Sequence, residues 1–131
     1  PILDRMMLFS RSDVLTDACE ALWHLSKKDV ASARTAIDVA RRYNPKDTFV
    51  QTIHGRVLLA EGKTSESIGE LRFAADNLHY SWQGTEVYYY LGQALEAAGQ
   101  NAEARKAYDK LLALWPVGYW ADKAKAGLKK Q

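Results

Sequence analysis

Cysteine is almost absent from this 131-residue chain. Cys19 stands alone, which excludes a disulfide framework and a cysteine-based metal quartet. On the apolar face of a helix, a single cysteine reads as a small core residue. Proline occurs three times, and so few helix breakers, beside abundant alanine and leucine, lean towards an all-α fold. No charge of one sign prevails: 18 basic against 16 acidic residues leave a formal net charge of +2. No basic run interleaves with aromatics either, so nucleic acid is not an expected partner. No apolar run approaches the ~18 residues that span a membrane, and no signal peptide stands at the start. A membrane is therefore not an expected partner, and the cytoplasm is the default location. The chain opens on Pro1 rather than methionine, which reads as a piece excised or processed from something longer.

What is present is globular: 47% hydrophobic and 26% charged residues, in a length that suits one domain with a sizeable core. The most informative stretch is residues 85–116. Tyr88, Leu91, Gly92 and Leu95 recur at offsets of three, four and seven, one face of a helix. Gly99, Gln100 and Asn101 break that helix, with Asn101 placed to cap the next. Ala104, Ala107, Tyr108, Leu111 and Trp115 then form a second apolar stripe, stopped by Pro116. Two antiparallel helices with small residues where they cross make a tight hairpin.

This hairpin resembles a tetratricopeptide repeat, whose W-x₂-L-G-x₂-Y…A-x₃-F…P pattern is met by Tyr88-x₂-Leu91-Gly92-x₂-Leu95, Ala104-x₃-Tyr108 and Pro116. The resemblance implies an all-α, right-handed superhelical solenoid of antiparallel helix pairs: about three such repeats, a leading half-repeat and a C-terminal capping helix. Within one domain over residues 1–131, the half-repeat or N-terminal capping helix covers 1–13. The first repeat takes 14–47, the second 48–84 and the third 85–118, and the capping helix takes 119–131. In the first repeat Asp29 is placed as an N-cap, followed by Val30, Ala33, Ala36, Ile37 and Ala40 facing inward. Its first helix is less regular. Counting back from Pro45 sets Asp17, Glu20 and His24 at core positions, whereas the visible apolar stripe is Leu15, Ala18, Cys19, Leu22 and Leu25, with Trp23 beside it. Either the turn near residues 26–28 shifts the register or the helix buries a different face. In the second repeat Gly55, Leu58 and Gly62 match Gly92, Leu95 and Gly99; Asp47 caps the first helix, and Thr64 or Ser65 the second. Gln51, His54 and Ser67 depart from the pattern. Gly55 and Gly92 are thirty-seven residues apart against the usual thirty-four, so a lengthened linker near 79–84 carries Tyr80 and Trp82, as a wedge between repeats or as a contact surface.

Chemistry is sparse. His24, His54 and His79 lie on separate segments, and no zinc, thiol, serine-hydrolase or phosphate-loop motif is present. No cofactor or metal is expected, and the chain reads as a non-enzyme. Gly55 and Gly92, inside helices at a cost of about 1 kcal/mol each, read as packing glycines.

In the family, the first helix of each repeat lines a concave groove. The resemblance thus implies a groove of Phe49, Thr52, Ile53, Arg56 and Leu59 from the second repeat and Glu86, Tyr89, Tyr90, Gln93 and Glu96 from the third, with Leu15, Ala18, Leu22 and Leu25 or their neighbours from the first. The Lys/Asn/Arg clamp with which some members grip acidic chaperone tails is replaced by Ala18, Leu22, Ile53, Glu86 and Tyr90, which argues against such tails. The expected function is a protein-interaction scaffold that binds a partner peptide or helix. Alternatives are self-association, a homodimer through Met6, Met7, Phe9, Tyr80 or Trp82, and a regulatory segment of a longer multidomain enzyme or signalling protein.

Overall fold

The computed structural model describes residues 10–78 and 83–130, and these form seven helices and no strand. They are α1 (Ser10–Ser26), α2 (Val30–Tyr43), α3 (Thr48–Ala60), α4 (Thr64–Asp76), α5 (Gln83–Ala97), α6 (Asn101–Leu114) and α7 (Tyr119–Lys129). Met6, Met7, Phe9, Tyr80 and Trp82, and residues 1–9 of the half-repeat expected over 1–13, lie outside the described residues. So does the side chain of Leu15. Turns of three or four residues force sequential helices to run antiparallel. α1 packs on α2, α3 on α4 and α5 on α6. The first helices α1, α3, α5 and α7 also touch in order, whereas α2, α4 and α6 do not touch one another. The result is an all-α solenoid.

Three turns within hairpins share one device. Lys28, Gly62 and Gly99 hold φ of 60°, 82° and 77°. The next residue's N–H donates five residues back: Asp29 to His24 O, Lys63 to Leu58 O and Gln100 to Leu95 O. This is the left-handed C-terminal cap that glycine adopts without strain. In the first hairpin a lysine occupies it.

That equivalence fixes the register of α1. Lys28 corresponds to Gly62, so Ala21 corresponds to Gly55 and Gly92. Ala18 and Ala21 are fully buried, Leu22 and Leu25 are partly buried against the same core, and Glu20 is exposed. Of the two readings left open, the register stands and α1 buries a different face. One expectation fails here: Cys19 is exposed rather than core. Trp23, beside the stripe, points outward and is 59% exposed.

Each hairpin then crosses at one small residue facing one filler. The fillers Ile37, Leu71 and Tyr108 are equivalent in register and all but inaccessible. A Cβ added to Gly55 would lie 2.6 Å from Leu71 Cγ, and one added to Gly92 2.5 Å from Tyr108 Cε1. Ser67, between α3 and α4, is accommodated because its hydroxyl donates to Gly55 O at 2.7 Å. Gln51 and His54 are buried, and His54 Nδ1 sits 3.5 Å from Glu70 Oε1 without forming a hydrogen bond.

Asp29 and Asp47 cap α2 and α3, accepting from Ser32 N and Val50 N. The other two caps are corrected. Lys63 and Gln100 occupy the cap positions of α4 and α6 without a side-chain bond, and Thr64 and Asn101 are already helical. Trp115 is also not core: α6 ends at Leu114 and leaves Trp115 44% exposed.

Candidate functional site

Positions one turn apart on neighbouring first helices converge on a single cleft. Leu25 comes from α1, Arg56, Leu59 and Ala60 from α3, and Tyr90 and Gln93 from α5; together they line about 260 Å³. Three of its six lining residues, Leu25, Leu59 and Ala60, are aliphatic. Its polar groups are held in place by neighbours rather than left to wander. The Arg56 guanidinium lies 4.2 Å from the Tyr90 ring centroid, a cation–π distance, and its Nη1 is 3.9 Å from Glu86 Oε1.

Burial pushes the Glu86 carboxyl above its ordinary range, and the Arg56 charge only partly offsets this. Burial likewise pushes the Tyr90 phenol up to about 12, again opposed by Arg56. Beside the cleft Tyr90, Tyr89 and Trp120 stack at centroid distances of 5.1–5.7 Å, in the tilted and edge-on arrangements aromatic rings prefer. Gln93 Nε2 donates to the Tyr89 hydroxyl. Lys123 of α7 sits 5.4 Å from the Tyr89 ring and 5.1 Å from that of Tyr119.

Not every expected groove residue reaches this surface. Ile53 is inaccessible and belongs to the N-terminal core with Ala18, while Phe49 packs on that core. Thr52 is also buried, its hydroxyl donating to Thr48 O at 2.7 Å. Tyr89 is buried under its aromatic neighbours, supporting the cleft rather than lining it. Glu96 accepts from the Tyr108 hydroxyl at 2.8 Å; burial and then this bond raise that phenol far above its usual range. Arg56, Leu59, Tyr90 and Gln93 remain as cleft residues with Leu25, and Glu86 beside them. Ala60, Trp120 and Lys123 were missed. The spacing of Lys123 four residues after Tyr119 is a signal only once α7 is placed against α5.

Elsewhere, Leu114, Trp115, Val117 and Tyr119 are exposed at the α6–α7 corner, Val117 by 77%. Among the described residues no group of His, Cys, Asp and Glu is arranged to hold a metal, and no helix is long and apolar enough to cross a membrane.

The tetratricopeptide repeat family model matches residues 85–114. Two solved structures superpose on nearly the whole chain. One is the first TPR domain of human RPAP3, at a TM-score of 0.71 and 18% identity, covering 89% of this chain and 93% of that one. The other is the N-terminal domain of stress-induced protein-1 from C. elegans, at 0.64 and 15%, covering 88% and 94%. Residues 85–114 thus match a tetratricopeptide repeat, and the fold is that of tetratricopeptide domains. A curated relative, the aspartyl/asparaginyl beta-hydroxylase of Mus musculus, is 28% identical over 107 residues, which are 82% of this chain but 14% of the hydroxylase. The chain thus spans about a seventh of the length of that relative. Tetratricopeptide repeats mediate protein–protein interaction, and that general role is the one this fold carries.

Proposed function

We propose that this chain is a non-catalytic scaffold that binds a partner peptide or helix through its concave cleft. The observation that carries the reading is the convergence of Leu25, Arg56, Leu59, Ala60, Tyr90 and Gln93, from the first helices of three successive hairpins, on one opening. An apolar pocket with a few fixed polar groups suits one anchoring side chain. Arg56 and Gln93 are placed to meet the backbone or a polar side chain beside it. Tyrosine and arginine are also the residue types that dominate binding energy at interfaces. Acidic chaperone tails remain a poor fit, because Ala18 and Ile53, two positions of that clamp, are buried apolar side chains here.

Selection of binders from a random peptide display library tests this. Peptides selected on the wild-type chain should lose at least about tenfold in affinity on Arg56→Glu, and similarly on Tyr90→Ala, with the helical circular dichroism unchanged. Selected peptides that bind both variants as tightly as wild type would overturn the reading.

A second reading is a regulatory repeat segment of a longer enzyme, favoured by the alignment with a small part of a hydroxylase. Self-association is a third, favoured by the exposed apolar corner of Trp115, Val117 and Tyr119. It predicts a mass that rises with concentration and falls back on Val117→Asp.

A further inference from the structure

Tyr88 and Tyr90 are two residues apart on α5, so they point about 200° apart around the helix. Tyr90 faces the concave cleft. Tyr88 faces the opposite side, where it helps floor a second cleft of about 200 Å³ between α4 and α6. This cleft exists because the second helices do not touch. Its floor is Ala75 of α4, Tyr88, Leu91 and Leu95 of α5, and Ala107 of α6; Leu91 and Leu95 are core residues whose edges form the bottom.

The walls are charged. Arg72 and Asp76 stand on α4, and Glu103, Lys106 and Lys110 on α6. Their order along the cleft follows from the repeat register. Gly92 lies thirty-seven residues after Gly55, so Lys110 stands level with Phe73, Lys106 with Gly69 and Glu103 with Glu66. The three cations therefore occupy the middle of the cleft, and the two acids its ends. Glu103 is taken up by Lys106 at 3.1 Å. Lys110 Nζ rests 5.7 Å from the Tyr88 ring centroid, with no carboxylate on it, and Arg72 forms no ion pair among the described residues. Two uncommitted cations, one on each wall, thus face each other across an apolar floor.

We infer that this convex cleft is a second binding site, and that it takes a short acidic peptide segment carrying one large apolar side chain. The apolar side chain enters between Ala75, Leu91 and Ala107. Flanking carboxylates meet Arg72 on one wall and Lys110 on the other. A basic or purely polar segment is disfavoured, because the middle of the cleft would repel the first and leave the floor wet against the second. The site is separate from the concave cleft, so one chain can hold two segments at once, and the inference does not depend on the concave reading.

The test is amide chemical-shift mapping on the full chain. The probe is an acetylated hexapeptide with two acidic residues, phenylalanine, leucine and two further acidic residues; the control replaces its acids with lysine. Expected are saturable shifts at Tyr88, Leu91, Leu95 and Ala107, none at Arg56, Tyr90 or Gln93, and no saturation with the lysine control. Arg72→Glu combined with Lys110→Glu should weaken the probe at least about tenfold. Lys110→Gln, which keeps most of the stem and drops the charge, should weaken it by about threefold. No saturable shift, shifts confined to the concave residues, or equal binding by the lysine peptide would overturn the inference.

Discussion

The first and third hairpins solve one packing problem with different residues. Where α1 crosses α2 the small residue is Ala21 and the filler Ile37, in a core made mostly of alanine. Where α5 crosses α6 the small residue is Gly92 and the filler is Tyr108. The tyrosine ring also lies against Gly127 of α7, 2.9 Å from where a Cβ would stand, and its hydroxyl is tied to Glu96. The middle hairpin is intermediate, with Gly55 and Leu71. From the first to the third hairpin the filler is larger and the residue opposite smaller, because the interior is close-packed and the room is set by how near the helices come. One tyrosine thereby joins three helices. The first hairpin is supplemented instead at its rim. Arg34 of α2 donates from Nε and Nη2 to the two carboxylate oxygens of Glu61, at the end of α3.

The comparison is sharpest at Tyr108. Tyr108→Ala should destabilise by about 3–5 kcal/mol in urea unfolding, since it empties a cavity shared by three helices and removes the hydrogen bond to Glu96. A cost no larger than that of Ile37→Val, about 1 kcal/mol, would break the contrast between the cores. Gly92→Ala comes next. The helix-propensity gain of about 1 kcal/mol is outweighed by an overpacking cost of about 2–3 kcal/mol against a ring pinned on three sides, for a net loss of about 1–2 kcal/mol. Gly55→Ala should cost less, because Leu71 can turn while Tyr108 cannot.

At the rim, the Arg34 guanidinium holds the Glu61 carboxyl below its ordinary value, and Glu61 in turn raises that of Arg34. A lowered carboxylate pKa contributes stability that is present above the unfolded-state value and lost as pH falls through the folded one. Glu61→Gln should therefore cost about 1 kcal/mol at neutral pH, and progressively less as the solution is acidified below the ordinary carboxylate range. The smallest expected effect is a gain: Lys28→Gly should stabilise by about 0.5–1 kcal/mol, because glycine takes the left-handed turn without strain.

These same differences decide what could be read from the sequence. The third hairpin was legible because Gly92, Gly99, Ala104, Tyr108 and Pro116 each leave a distinct mark at fixed spacing. Its crossing, its turn and its stop were all visible. The first hairpin hid its register because alanine marks both core and surface helix equally, and because Lys28 stands where glycine would have announced the turn. Cys19 looked inward by residue type, yet the buried face is the one through Ala18 and Ala21. Of the expected groove residues, Arg56, Leu59, Tyr90 and Gln93 line the cleft, whereas Thr52 and Ile53, one turn before Arg56, are buried. Helical periodicity alone does not separate a groove from the core directly beneath it. Ala60 and Lys123 carry no local signal, since their place depends on how neighbouring helices stack.

The concave binding claim is tested most directly by amide chemical-shift mapping with a peptide selected on this chain. The account predicts shifts on three separate helices at once, at Leu25, at Arg56 and Leu59, and at Tyr90 and Gln93, all titrating with one affinity. Shifts restricted to the α6–α7 corner around Val117, or absent from α1 and α3, would contradict it.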